Sequence, residues 1–177
     1  MMQSVLEKIP EVGAACVREG SGAAAPIHSA SETAPFDPLK LESQLCFPLY
    51  VCSKEVVRRY KPFLDELGIT YTQYIVLMAL WEEQGVSVGD LGSRLYLDSG
   101  TLTPLLKKME LNGLVVRARS DSDERRVVVT LTRQGEDMKK QAADVPLKMA
   151  RCVDLDPEEA GMLKTLLTKV LDSIRAS

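Results

Sequence analysis

LYLDSGTLTPLLKKMELNGLVVRARSDSDERRVVVTLT, residues 95–132, is the stretch on which the fold of this 177-residue chain turns. Asp98 or Ser99 caps a short helix, and Asn112-Gly113 ends it. Two β-forming runs follow, 114–118 and 126–132, around a polar, charged loop. That pattern predicts a hairpin. Just upstream, Ser87 and Asp90 form a second cap signature that opens SVGDLGSRLYL. Two short helices separated by a tight turn and followed by a β hairpin predict a winged helix-turn-helix.

Outward from this core the chain reads as helix. Leu41, Leu45, Leu49, Cys52, Val56, Tyr60 and Phe63 recur at spacings of three and four, one apolar face of a long helix. Pro48 predicts a kink in it and Pro62 an end. Thr70, with Gln73 three residues on, opens YTQYIVLMALWEEQG, which Gly85 ends. After the hairpin, Gly135 to about Cys152 reads as one helix. Asp156-Pro157-Glu158-Glu159 starts the last, with proline at the tolerated first position. Met162, Leu163, Leu166, Leu167, Val170, Leu171 and Ile174 give it a wide apolar face. The fold class is therefore mainly α with a small β wing. Residues 1–36, rich in Ala, Gly, Ser and Pro, read as a tail that cannot bury enough surface to order itself. Residues 37–177 form the winged-helix domain, with a reading head at about 70–133 between helical segments at about 38–66 and 134–176.

The composition narrows the function classes. No apolar run reaches the roughly 18 residues of a membrane span, and residues 1–15 lack the apolar centre of a secretory signal, so a cytoplasmic location is expected. The four cysteines, Cys16, Cys46, Cys52 and Cys152, form no CxxC, and His28 is the only histidine, so neither a metal site nor a cofactor is expected. Net charge is −3, which by itself does not announce a partner for nucleic acid. The basic charge is local instead. Residues 107–133 hold seven basic side chains (Lys107, Lys108, Arg117, Arg119, Arg125, Arg126, Arg133) and four acidic ones (Glu110, Asp121, Asp123, Glu124), a balance of +3. Ser99, Thr101 and Thr103 stand near the start of the second short helix, where small hydroxyl residues can approach phosphates and base edges. A solvated hairpin with ordinary surface charge would look similar from charge alone.

DERRVVVTLT, Asp123 to Thr132, resembles the D-x-R-x-x-x-V-x-L-T wing signature of MarR-type regulators. LESQLCFPLY, YKPFLDELGITYTQY and LYLDSGTLTPLLKKME further resemble the group that senses organic hydroperoxides. The likeness covers about Leu39 to Thr132. It implies a homodimer, built by interdigitating first and last helices, that binds a pseudo-palindromic duplex and represses transcription. The helix from about Ser99 to Asn112, with Ser99, Thr101, Thr103, Lys107 and Lys108, would enter the major groove. Arg125, with Arg126 beside it, would reach the minor groove. Asp123 would steady the wing by pairing with an arginine of the head, for which Arg94 is the candidate.

The same resemblance makes Cys46 the peroxide-sensing thiol. By periodicity alone Cys46 only borders the apolar stripe, where a free cysteine is as readily a small hydrophobe. The resemblance implies Tyr60 and Tyr71 as hydroxyls supporting the thiolate, with Tyr71 coming from the second subunit. It implies Cys152 as a resolving cysteine that closes a disulfide with Cys46 across the dimer. A small cellular thiol is the alternative partner. Cys52, on the stripe itself, reads as packing, and Cys16 has no assigned role. Two other readings stay open: a MarR-type repressor gated by a small aromatic ligand, and a thiol peroxidase. Against the peroxidase stand the winged-helix segment and the lack of a peroxidase motif, so no enzyme activity is expected.

Overall fold

A computed structural model of the chain describes residues 37–120 and 123–176. Cys16, His28 and the proposed tail at 1–36 lie outside the described residues. The described residues divide into two compact units, 37–145 and 146–176.

In the first unit a short 3-10 turn, Leu41–Ser43, precedes helix α1, Cys46–Asp65. The long helix expected from about Leu39 thus starts at Cys46. The reason is Pro48, which lacks an N–H and so fits the first turn, where no carbonyl awaits one. Proline here marks a beginning rather than a kink. Pro62 sits inside the helix, which ends a turn later at Asp65. Helix α2, Tyr71–Glu82, opens on a full capping box: Gln73 N donates to Thr70 Oγ1 and Thr70 N to Gln73 Oε1. Its residues Tyr74, Val76, Leu77, Ala79 and Leu80 are buried, so α2 is the central helix of the unit.

Strand β1, Val86–Ser87, leads into α3, Val88–Leu95, whose N-cap Ser87 accepts from Asp90 N. Tyr96 follows at φ 56°, a left-handed residue that turns the chain towards α4, Ser99–Leu111. Gly92 makes this tight corner possible. A Cβ there would meet the Leu97 carbonyl oxygen at 2.8 Å. Leu102, Leu106 and Met109 of α4 are buried at spacings of four and three, leaving Ser99, Thr101, Lys107 and Lys108 on the exposed face.

Strands β2, Val115–Ser120, and β3, Asp123–Leu131, form the expected hairpin. Periodicity did not reveal β1, which pairs with the far edge of β3 and makes a three-stranded antiparallel sheet of order β1-β3-β2. Two residues are too short a run for an alternation pattern to register. Val129 and Leu131 of β3 turn inward. Thr132 then donates to Gly113 O at 2.5 Å and accepts from Gly135 N at 3.1 Å, capping α5, Arg133–Gln141. The single helix expected from Gly135 to Cys152 is broken at residues 142–144, and α6, Val145–Ala150, follows.

The second unit holds most of α6 and helix α7, Pro157–Ala176. Asp156 Oδ1 accepts from the backbone N of Glu158 and Glu159, a side-chain cap at the predicted start. Met162, Leu163, Leu166, Leu167, Leu171 and Ile174 are exposed along α7 among the described residues. Among the described residues no helix is long and apolar enough to cross a membrane.

Candidate nucleic-acid interface and thiol site

The exposed side of α4 and the wing present the predicted DNA-facing residues. Ser99, Thr101, Lys107, Lys108, Arg125 and Arg126 are exposed, and Thr103 is half-buried. Thr101 is partly committed. Its hydroxyl donates to Asp98 Oδ2 at 2.7 Å and its N–H to Asp98 Oδ1 at 2.9 Å. These bonds, the side-chain one first, hold the Asp98 carboxyl below its ordinary range. Thr103, Arg117, Arg125 and Arg126 line one cleft of about 460 Å³ between α3, α4 and the wing.

The β2–β3 ladder slips at this place. Arg119 pairs with Val127, but Ser120 pairs with Asp123, so residues 124–126 have no β2 partner. A bulge of this kind bends the strand and re-aims its side chains. Both wing arginines of the sequence motif lie in it.

The charges are arranged differently from expectation. Arg94 pairs with Glu82 and lies within 4.0 Å of Glu83, rather than reaching Asp123. Those acidic residues end α2, directly beside α3, and so outcompete a carboxylate on the wing. Asp123 instead accepts the backbone N–H of Arg125 at 3.0 Å. The wing is tied to the head by Arg126, whose Nη2 lies 2.8 Å from Asp90 Oδ2. Arg117, counted among the basic residues of the interface, is held by Glu110 on α4. Sequence reasoning missed both carboxylates. Asp90 read only as a cap partner, and Glu110 gives no local signal seven residues before its partner.

The thiol side of the unit is built on α1 and the start of α2. Cys46 is the first residue of α1 and is exposed. A helix start leaves N–H groups without acceptors and carries the positive end of the helix dipole, which favours an anion. Tyr60 and Tyr71 stand with ring centroids 5.0 Å apart, and Tyr74 backs Tyr60 at 6.0 Å. Burial, and then the neighbouring Tyr71, push the Tyr60 hydroxyl above its ordinary pKa of 10.0. Burial pushes Tyr74 to about 12. Tyr60 and Tyr74 therefore stay protonated at neutral pH, as hydrogen-bond donors. Tyr71 also lines a cleft of about 730 Å³ with Val57, Leu64, Ile69, Lys54, Arg58 and Lys61.

The structure brings the two tyrosines together but not the cysteine. Cys46 and Tyr60 lie fourteen residues apart on one helix, about 21 Å along its axis. Tyr60 and Tyr71, which the resemblance assigns to different subunits at one thiol, stand in one ring cluster of a single chain. Cys52, expected to pack, is exposed within the chain. Cys152 is half-buried in the second unit, its Sγ 3.4 Å from Lys148 O.

Comparison with known proteins agrees with this architecture. The family model described as transcriptional regulator SarA/Rot matches residues 58–142. The organic hydroperoxide resistance transcriptional regulator of Bacillus subtilis is 47% identical over 139 residues, 78% of this chain and 95% of that protein. Reduced AbfR bound to DNA is 34% identical at a TM-score of 0.68, over 77% of this chain and 93% of that one. A disulfide-formed AbfR is 37% identical at a TM-score of 0.54, over 74% and 92%. The AbfR protein comes from Staphylococcus epidermidis. With its winged-helix head, its wing signature and these relatives, the chain belongs to the MarR-type family of DNA-binding transcriptional regulators, in the group of organic hydroperoxide resistance regulators.

Proposed function

We propose that this DNA-binding repressor works as a homodimer, and that Cys46 is the thiol through which organic hydroperoxides release it from its operator. One observation carries the assignment of residues: Cys46 is exposed at the start of α1, while Tyr60 and Tyr71 meet about 21 Å further along. Two hydroxyl donors and an anion-favouring helix start suit a reactive thiolate, and only a second copy can bring them together. Both tyrosines then serve the partner's Cys46. The exposed apolar face of α7 supports the same dimer, since a surface of that kind is stable in water only when covered.

The chemistry balances simply. The Cys46 thiolate attacks the outer peroxide oxygen, the O–O bond breaks, and with one proton the products are a sulfenic acid and an alcohol. A second thiol then displaces water to give a disulfide, and Cys152 of the partner subunit fits that part. A disulfide holds its sulfurs at about 2.05 Å, so forming one moves the helices that carry the reading heads. Regulator and inducer would meet in the cytoplasm, and peroxide consumption would be stoichiometric rather than catalytic.

A second reading rests on the 730 Å³ cleft beside Tyr71, large enough for a small aromatic inducer. Titration of a DNA duplex selected by this protein, with and without an organic hydroperoxide, separates the two. Loss of binding in wild type but not in Cys46→Ser is expected. Peroxide-induced release that persists in Cys46→Ser would overturn the thiol assignment.

A further inference from the structure

Adjacent arginines of the wing sit in different surroundings. The Asp90 carboxylate accepts from Arg126 Nη2 at 2.8 Å and from Ser87 Oγ at 2.6 Å. Ser87 in turn accepts from Asp90 N at 3.1 Å, is buried, and pairs with Val128 of β3. Asp90 is thus oriented by a hydroxyl that belongs both to the α3 cap and to the sheet. Arg126 lies two residues from the β3 position that β1 holds. It also lies in the bulge, where no β2 partner fixes the strand. What the ladder fails to fix there, the Arg126–Asp90 pair supplies. Arg125 takes no part in these bonds and is exposed, lining the same cleft as Arg126.

We propose that Asp90 is a positioning residue for DNA binding: it holds Arg126 as a strut between wing and α3, and so leaves Arg125 as the arginine that reads the groove. This rests on the DNA-binding reading of the head and divides the duties of two residues that the motif alone treats alike. A guanidinium engaged by a carboxylate is largely neutralised and releases few counterions from DNA. Each guanidinium set free against a phosphate steepens the salt dependence of binding by nearly one unit of log K per log [salt]. The strut sits on the surface, where ion pairs contribute little to stability, so variants at Asp90 are expected to fold.

The experiment measures salt dependence of affinity for the full chain on two duplexes: one selected from a random pool, and a scrambled one of equal length. Arg125→Gln is expected to flatten the slope by about one unit per reading head. Arg126→Gln is expected to leave the slope unchanged while lowering the ratio of selected to scrambled affinity. Asp90→Asn frees Arg126 and is expected to steepen the slope by about one unit per head, with tighter scrambled binding and a lower ratio. Asp90→Asn combined with Arg126→Gln is expected to match Arg126→Gln alone, because both act on one bond. A purely structural Asp90 would weaken both duplexes without steepening the slope. That result, or an Arg126→Gln slope as flat as that of Arg125→Gln, would overturn the proposal while leaving DNA binding intact. Failure of wild type to select any duplex would overturn both readings.

Discussion

Glu110, near the end of α4, accepts three hydrogen bonds from Arg117 on β2: from its backbone N at 3.0 Å, from Nε at 3.1 Å and from Nη2 at 2.7 Å. The pair locks the base of the wing to the helix that would enter the major groove, so the two approach DNA as one piece. Together with Arg126–Asp90 it ties the wing to both helices of the helix-turn-helix motif.

Those bonds hold the Glu110 carboxyl below its ordinary value of 4.5, the Arg117 side chain being the main cause. A carboxylate with a lower pKa folded than unfolded adds stability that is complete above the unfolded value and is lost as pH falls through the folded one. Glu110→Gln is therefore expected to lower the melting temperature near neutral pH and to match wild type once both are well below the ordinary glutamate range. Thermal melts from about pH 7 to about pH 3 check this. A gap of equal size at every pH would show that the charge of Glu110 contributes nothing.

The proposed site, Cys46 of one chain with Tyr60 and Tyr71 of the other, is testable by mixing two defective chains. Cys46→Ser removes the thiol, and Tyr60→Phe with Tyr71→Phe removes the hydroxyls. The tyrosine variant alone is expected to react with hydroperoxide about 10- to 100-fold more slowly, the cost of losing hydrogen bonds to a charged group. Mixed dimers place the intact Cys46 of one chain against the intact tyrosines of the other, and one wild-type-like site per dimer is expected to return. Single-turnover oxidation of the purified mixed dimer measures it. No recovery would mean that thiol and hydroxyls do not meet across the dimer.

Cys152→Ser is expected to abolish the peroxide-induced crosslinked dimer on non-reducing gels while leaving sulfenic acid at Cys46. A crosslink that survives this substitution would remove Cys152 as the resolving thiol. Cys52, exposed on α1, would then be the next candidate.

Gly92→Ala places a Cβ where the Leu97 carbonyl oxygen lies 2.8 Å away. A backbone atom cannot yield as a side chain can, so the α3–α4 corner must open. The expected cost is about 1–3 kcal/mol, typical of an overpacked site. DNA affinity should fall further than stability predicts, because the corner sets the pitch of α4. Chemical denaturation and duplex titration of the same variant check the two parts separately.

The element order was legible in the sequence because its signals are local. Ser87 with Asp90, Thr70 with Gln73, and Asn112-Gly113 each act within a turn of backbone, and the apolar spacing of helix and strand is a property of neighbours. The residue types of the wing motif likewise announced a family without any coordinates. What needed tertiary structure was every relationship between elements. Arg94 pairs with Glu82 instead of Asp123, and Arg126 with Asp90, because folding sets the distance between charges while chain order does not. The slip at residues 124–126 depends on which β3 residue faces Arg119, and the two-residue β1 exists only through its partner. The same reason decides the thiol site. Cys46, Tyr60 and Tyr71 can be picked out from the letters alone, but only the structure shows the two tyrosine rings together and Cys46 fourteen residues from Tyr60 at the start of α1.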